Sequence, residues 1–234
     1  MKVEIWSDVM CPWCYIGKRK FEKALEQLPQ KERIEVEWKS FQLNPDMKTN
    51  PDKSIVEYLA EAKGFTVDHA TQMLDHVTNV AAEVGLEYHM DKTVLANSFD
   101  SHRFIQFAKK NNVGDAAEEQ LFHAYFTEGR NTADRATLID LGTKIGLDAG
   151  AVKEVLDSNQ FAEEVRKDIY EAQQVGVRGV PFFVLDRKYA VSGAQQTETF
   201  LGALQQSFQE WEKENPAPLV SLADGDSCDI NGNC

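Results

Sequence analysis

The sequence predicts an α/β fold in which a small sheet is split along the chain by a long block of helices. Three observations predict it. Strand patterns occur only near the two ends, at 3–6, 33–41, 182–185 and 189–192. Between residues 50 and 157 the apolar positions recur at helical spacing, with cap and stop residues between segments. A Cys-Pro-Trp-Cys run, Cys11 to Cys14, stands where the first strand hands over to the first helix.

The first strand is the apolar run Val3-Glu4-Ile5-Trp6, and a helical pattern follows over about 11–28. Pro12 suits the opening of that helix, because its missing N–H would lack a partner there in any case. The stretch 33–41 alternates with period two and puts Ile34, Val36 and Trp38 on one face of a strand. A strand, a helix and a second strand this close together predict a parallel βαβ unit with a right-handed crossover. Asn44-Pro45 closes it.

In the helical block, Asn50 followed by Pro51 caps a helix carrying Ile55, Val56 and Leu59, and Gly64 ends it. Thr66 caps the next, with Ala70, Met73, Val77, Val80, Ala81 and Val84 on one face before Gly85. A third runs from near Ser98 through Phe104, Ile105 and Phe107 to Asn111-Asn112. Asp115 and Glu118 make a capping-box-like start for the helix of Leu121, Phe122 and Phe126. Helices around 136–145 and 149–156 complete the block. Its Met and Phe stripes read as the core of a helical subdomain rather than as a cofactor box.

A further helix over 161–175 stops at Gly176. Gly179-Val180-Pro181 then leads into the strand 182–185, whose unbroken apolar run fits a strand covered on both faces. The turn Asp186-Arg187-Lys188 returns it as an antiparallel partner, 189–192. A helix over 197–214, with Phe200, Leu201, Leu204, Phe208 and Trp211 on its apolar side, closes the fold.

A hydrophobic share of 42% over 234 residues suffices for a packed core. The formal charge of −13 argues against a nucleic-acid partner, since phosphate binding runs on Lys and Arg. No uninterrupted apolar run reaches the roughly 18 residues of a membrane helix, and no secretory-type apolar stretch follows Met1. The expectation is a cytoplasmic protein with no membrane partner.

Two cysteines two residues apart at a strand–helix junction suit redox chemistry. Cys11 falls at the helix N-terminus, where unpaired N–H groups and the positive dipole end favour thiolate, the nucleophile of disulfide exchange. Cys14, one turn on, is placed to attack a mixed disulfide formed at Cys11. The competing readings are half of a zinc site and two small core residues. A zinc site needs two more ligands. The other cysteines lie at the far C-terminus and no His-x-x-x-His pair exists, so redox chemistry is preferred and no metal is expected.

The order β-α-β, helical block, α-β-β-α, with Cys11-Pro12-Trp13-Cys14 after the first strand and Gly179-Val180-Pro181-Phe182 entering the third, resembles the DsbA-like branch of the thioredoxin superfamily. Within that branch the chain looks most like the cytosolic FrnE-type proteins, over about residues 2–214. The resemblance implies a thioredoxin fold with an inserted all-helical domain. Its parts would be a discontinuous thioredoxin-like domain at 1–47 and 158–214, a helical insertion at 48–157 and a tail at 215–234. It implies a cis peptide before Pro181, which packs beside Cys11 and leaves the backbone of Val180 free to bond an extended substrate peptide, a form of strand addition.

Thioredoxin-like proteins commonly keep a buried acid six residues before the first cysteine, to move the proton of the resolving thiol; Ile5 stands there in this chain. Asp8 is nearer the motif and reads either as a substitute or as a solvated turn residue. Related kappa-class transferases and 2-hydroxychromene-2-carboxylate isomerases use glutathione and place serine where Cys11 stands. The intact dithiol weighs against their chemistry while leaving glutathione as a substrate or reductant. The stretch Asn97 to Arg103 falls where those relatives approach the active site from the helical domain. A helix cap at Asn97 or Ser98 explains it equally well, and His102 reads as a polar surface or capping residue rather than a catalytic base.

Past Glu214 comes a linker, Asn215-Pro216-Ala217-Pro218, then an acidic run holding a C-x5-C pair, Cys228 and Cys234. A calcium loop is excluded by the offset of its Gly from the Asp residues. The pair reads first as an auxiliary electron relay to Cys11–Cys14, then as a structural staple, and last as partner to the first pair in a soft-metal site.

The expected activity is a thiol:disulfide oxidoreductase or isomerase of cysteine-containing polypeptides. Cys11 attacks, Cys14 resolves, Val180 and Pro181 position the substrate backbone, and Pro12 and Trp13 tune the potential and shape the surface. No cofactor beyond the redox-active disulfide is expected, with glutathione or thioredoxin as electron partner. The rivals are a glutathione-dependent isomerase or transferase and a holdase-like chaperone. The pattern specifies neither the direction of electron flow nor an oligomeric state.

Overall fold

The computed structural model describes residues 1–216. Strand β1 (Lys2–Ser7), helix α1 (Pro12–Glu26) and strand β2 (Glu35–Ser40) form a parallel βαβ unit, with Ile5 opposite Trp38 and Ser7 opposite Ser40. Six helices follow: α2 (Ile55–Lys63), α3 (Val67–Glu83), α4 (Phe99–Lys110), α5 (Gly114–Phe126), α6 (Arg135–Lys144) and α7 (Ala149–Asp157). Helix α8 (Ala162–Gln174) leads to β3 (Phe182–Leu185), β4 (Tyr189–Ser192) and the closing helix α9 (Thr197–Glu214). The sheet order is β2-β1-β3-β4, with β3 antiparallel to both its neighbours. This is a thioredoxin fold carrying an inserted block of helices.

Alternation along the strands divides the core into two faces. Val3, Ile5, Trp38 and Phe183 pack against Phe21 of α1 and Phe200 and Leu204 of α9. The rings of Phe183 and Phe200 meet edge-on at 4.6 Å. On the other face Trp6 and Val184 pack against Ala172 of α8 and Val177. Covering on both sides is why β1 and β3 read as apolar runs. The buried Asp168 ties α8 to its neighbours: its carboxylate accepts from Lys39 Nζ (2.9 Å), Ser40 N (3.0 Å) and Gln106 Nε2 (2.6 Å). That satisfaction matters, because an unpaired buried carboxylate would cost several kcal/mol, on the order of 3–5.

The inserted helices have their own apolar cluster, with Phe104, Ile105, Leu121, Leu138, Leu141 and Leu156 at its centre. A second cluster joins them to α1: Leu74, Val77, Phe122, Tyr125 and Phe126 pack directly on Cys11, Cys14, Tyr15 and Ile16. The helical block therefore covers the start of α1.

Three local expectations are corrected. Helix α2 is capped by Ser54, not by Asn50: Ser54 accepts from Glu57 N, and the Glu57 carboxylate returns to Ser54 N. Asn50 is engaged elsewhere, its side chain accepting from Asp52 N and its N–H donating to Leu95 O. Helix α5 has no capping box. Val113 is its N-cap and has no polar side-chain atom to cap with; the exposed Asp115 accepts from Trp38 Nε1 (2.9 Å) and Glu118 is buried. Met73 lies on the exposed side of α3, whose buried positions are Ala70, Leu74, Val77 and Ala81. Among the described residues, no helix is long and apolar enough to cross a membrane. Cys228 and Cys234 lie outside the described residues.

Candidate active site

The chain leaves β1 at Ser7, turns through residues 8–10 and enters α1, with Cys11 as its N-cap. The turn is closed by Cys11 N donating to Asp8 O (2.9 Å), and the helix opens with Cys14 N donating to Cys11 O (3.0 Å). Pro12 at the first helical position forfeits no bond. Cys11 and Cys14 are free thiols. The geometry puts both on the side of α1 that faces the third strand and the helical block.

Cys11 Sγ donates to Val180 O at 3.5 Å, and the Val180–Pro181 peptide is cis. Pro181 O in turn accepts from Gly193 N (2.8 Å), which fixes the start of β3 against the end of β4. Cys11 is 4% exposed and Cys14 fully buried. Tyr88 donates its hydroxyl proton to Pro12 O (2.8 Å), holding the first turn of α1 from the helical side. Its ring belongs to a stack in which Tyr15 meets Phe122 at 4.9 Å and Tyr88 meets Phe126 at 4.7 Å.

Trp13 projects outward, 37% exposed, with its ring 6.1 Å from that of His76. Pro12 and Trp13 edge an apolar cavity of about 360 Å³ whose far wall is Ile55, Leu59, Met73 and Val77 from the helical block. The inserted helices thus supply one side of the surface around the dithiol.

A second, closed environment lies behind Cys14. Burial, and then the adjoining Cys11, hold the Cys14 thiol well above the usual thiol range, with Ser7 and the Asp8 backbone acting the other way. Asp8 is fully buried, so it is not a solvated turn residue: Oδ2 accepts from Leu43 N (2.7 Å) and Oδ1 lies 3.4 Å from His102 Nε2. His102 is neither a surface nor a capping residue; α4 carries it inward to 1% exposure. Burial alone would lower the pKa of His102. Asp8, Glu118 and the Phe41 carbonyl outweigh that and hold it above the usual imidazole value. Glu118, from α5, is pushed up to about 7 by burial, against the opposing pull of His102, Ser7 and Lys18.

Asn97 belongs to none of this. Its side chain accepts from Phe99 N (2.9 Å) and donates to Pro45 O (3.1 Å) and Met47 O (2.8 Å), stitching the loop after β2 to the start of α4. Ser98, the N-cap, makes no side-chain capping bond. Sequence reasoning missed Glu118 by reading it as a cap. The signal was its spacing: Glu118 shares the apolar stripe of Leu121, Phe122 and Tyr125, where a carboxylate is out of place. Gly17 was missed as well; a Cβ there would stand 2.9 Å from Pro181 Cγ.

Residues 2–205 match the family model described as the DSBA-like thioredoxin domain. The chain belongs to that family. Its structure is similar to the crystal structure of the probable DsbA oxidoreductase SCO1869 from Streptomyces coelicolor, with 37% identity and a TM-score of 0.84 over 100% of this chain and 98% of that one. It shares its fold with the cytosolic disulfide reductase DsbM from Pseudomonas aeruginosa with GSH, at 17% identity and a TM-score of 0.62 over 93% of this chain and 100% of that one. It also shares its fold with a 2-hydroxychromene-2-carboxylate isomerase, at 17% identity and a TM-score of 0.63 over 92% and 98%. In sequence, the Bacillus subtilis (strain 168) protein YwbO is 25% identical over 205 residues, 86% of this chain and 94% of its own.

Proposed function

We propose that this DSBA-like domain is a thiol:disulfide oxidoreductase acting on polypeptide cysteines through Cys11 and Cys14. The single observation that carries the reading is a free dithiol at the start of a helix whose outer sulfur touches the Val180 carbonyl (3.5 Å) ahead of Pro181. Cys11, as thiolate at the positive end of α1, attacks a substrate disulfide and expels one substrate sulfur as thiolate. Cys14 then attacks the Cys11 sulfur, releases the second substrate thiolate and leaves a Cys11–Cys14 disulfide. Two electrons pass from the dithiol to the substrate, and the same steps reversed oxidise a substrate dithiol.

With Cys11 only 4% exposed, an extended segment reaches the sulfur where a folded surface does not. Such a segment bonds along the Val180 backbone in the manner of an added strand. The cavity behind Pro12 and Trp13 then takes an apolar side chain next to the substrate cysteine. The kinship to a probable DsbA oxidoreductase supports the activity class. The shared fold with a cytosolic reductase bound to GSH fits glutathione as the electron partner and the cytoplasm as the compartment. Cys228 and Cys234 serve in this reading as an auxiliary pair that exchanges electrons with the first.

A second reading, a glutathione-dependent isomerase of small aromatic compounds, is favoured by one observation, the aromatic-lined cavity beside the dithiol. The test is a comparison of wild type with Cys11→Ser in glutathione-coupled reduction of a disulfide-bonded protein. The proposed function predicts loss of turnover in the variant. Retention of an isomerase activity by Cys11→Ser overturns it in favour of the second reading.

A further inference from the structure

The helical block bonds to the active-site turn at a peptide group rather than at a side chain. Tyr88 donates its hydroxyl proton to Pro12 O at 2.8 Å. Its own place is fixed from both chain directions. Thr127 Oγ1 donates to Glu87 O (2.7 Å) and His89 N donates to Phe126 O (2.7 Å), which clips the loop on either side of Tyr88 to the end of α5. The Tyr88 ring stacks on Phe126 at 4.7 Å, and the residue is buried. A donor held in place in advance costs no reorganisation when charge develops near it.

The group that Tyr88 bonds has a second end. Pro12 O and Trp13 N belong to one trans peptide unit, in which C=O and N–H point in opposite directions. Helical N–H groups point toward the helix N-terminus, so Trp13 N–H is aimed back toward Cys11. Cys11 is the N-cap of α1 and has an extended backbone (φ −91°, ψ 110°). A side chain at that position accepts from the second or third N–H of the helix. The third, Cys14 N, is already bound to Cys11 O (3.0 Å). The second is Trp13 N–H, which has no acceptor among the described residues. The Cys11 thiol leaves it open, because its sulfur donates to Val180 O instead (3.5 Å).

We infer that Tyr88 is a positioning residue for the nucleophile: its bond to Pro12 O polarises the Pro12–Trp13 peptide, whose N–H then binds the Cys11 thiolate. The inference rests on the dithiol reading of the site. A thiolate has no proton to give Val180 O, so on ionising the sulfur changes from donor to acceptor, and Trp13 N–H is the open donor beside it in the chain. Hydrogen bonds to a charged acceptor are roughly twice as strong as neutral ones. Bonds in a chain strengthen one another by about 10–30% each. The Tyr88 hydroxyl, the Pro12–Trp13 peptide and the Cys11 sulfur make such a chain. The inserted helices thereby stabilise the reduced, ionised dithiol more than the disulfide, whose sulfurs carry no charge.

A phenol suits that task. Burial, and then the neighbouring Cys11, hold the Tyr88 hydroxyl above the usual phenol range, so it remains a donor while the thiols ionise. The hydroxyl bonds to neither sulfur and takes no proton from them. Its effect falls on the redox balance. In exchange with glutathione disulfide, the Cys11–Cys14 bond forms and the glutathione S–S bond breaks. Two electrons leave the protein dithiol, and the products are the protein disulfide and two glutathione thiols. Stabilising the reduced side of that balance makes the protein a stronger oxidant, and removing the hydroxyl shifts it toward the disulfide.

Tyr88→Phe tests the inference, because it keeps the stacked ring and removes only the hydroxyl. The full chain, wild type and variant, is equilibrated at neutral pH with glutathione and glutathione disulfide. The oxidised fraction of Cys11–Cys14 is then read by mass from the alkylated peptides. The equilibrium constant for oxidation by glutathione disulfide should be about threefold larger in Tyr88→Phe. Denaturant unfolding should show the reduced form losing more stability than the oxidised form. A merely structural role would weaken both forms alike, and an unchanged constant overturns the inference. If Tyr88→Phe fails to fold, the Trp13 amide proton of the wild type decides. It should move downfield on going from the disulfide to the reduced protein at neutral pH, and an amide that does not move is the contrary result. Failure of wild type to form a Cys11–Cys14 disulfide with glutathione disulfide would instead sink the dithiol reading.

Discussion

Gly17 of α1 lies flat against the ring of Pro181, so close that a Cβ on Gly17 would come within 2.9 Å of Pro181 Cγ. The helix that presents the cysteines and the loop that presents Val180 are thus in contact one turn below the dithiol. A mid-helix glycine costs roughly 1 kcal/mol relative to alanine, and overpacking typically costs about 1–3 kcal/mol. The ring is tied to backbone and cannot swing aside, so the clash outweighs the gain in propensity. Gly17→Ala is expected to lose up to about 2 kcal/mol in denaturant unfolding. Its turnover should fall further than that loss explains, because the displaced Pro181 carries the Val180 carbonyl away from Cys11.

The cavity beside Trp13 makes a specificity prediction. Met73 lines it and is nearly half exposed, so a polar replacement should shift stability by no more than about 0.5 kcal/mol. Met73→Glu is expected to raise KM several-fold for peptides with a bulky apolar residue beside the reactive cysteine. Peptides with glycine there should be unaffected. Equal effects on both peptides would show that the cavity takes no part in recognition.

Glu118 gives the folded state a pH signature in its stability. In the unfolded chain its carboxyl ionises near 4.5, and in the folded chain near 7. Between those values the folded state binds more protons than the unfolded one, so this group's contribution falls as pH rises. It is fully present below about 4.5 and lost as pH passes through about 7, by up to roughly 3 kcal/mol for a fully buried group. Glu37 and Glu119 act in the opposite sense. Despite burial, Lys109 and Lys2 hold Glu37 at about 2, and Arg19 and Tyr15 hold Glu119 there. Their stabilisation is present above about 4.5 and lost as pH falls through about 2, outside the Glu118 window. The unfolding free energy of Glu118→Gln minus that of wild type should therefore grow between pH 4.5 and 7. A difference constant across that range would contradict the buried, raised carboxyl.

Most of the fold was legible because its punctuation is local. Thr66 caps α3 and Gly64 ends α2 in a left-handed conformation, both readable from neighbouring residues. The α2 start was misread because Asn50 and Ser54 are both good caps; the chain uses the one with Glu three residues on, the full capping box. At the site, Cys11 and Cys14 followed from motif and position, and Val180 and Pro181 from family resemblance. The burial of Asp8, His102 and Glu118 together was not legible. Asp8 lies far along the chain from His102 and Glu118, and they meet only because α4 and α5 fold back onto the end of β1. Burial also inverted the reading of each, since a local pattern treats Asp, His and Glu as solvated.

The central claim is that Cys11 forms a covalent mixed disulfide with a polypeptide and that Cys14 resolves it. The most direct measurement is a trap: Cys14→Ser incubated with a disulfide-bonded protein substrate, followed by mass analysis of the adduct. The account predicts a stable one-to-one adduct joined through Cys11, cleaved by dithiothreitol, and absent from Cys11→Ser. No adduct in Cys14→Ser, or undiminished protein disulfide exchange by Cys11→Ser, would contradict it.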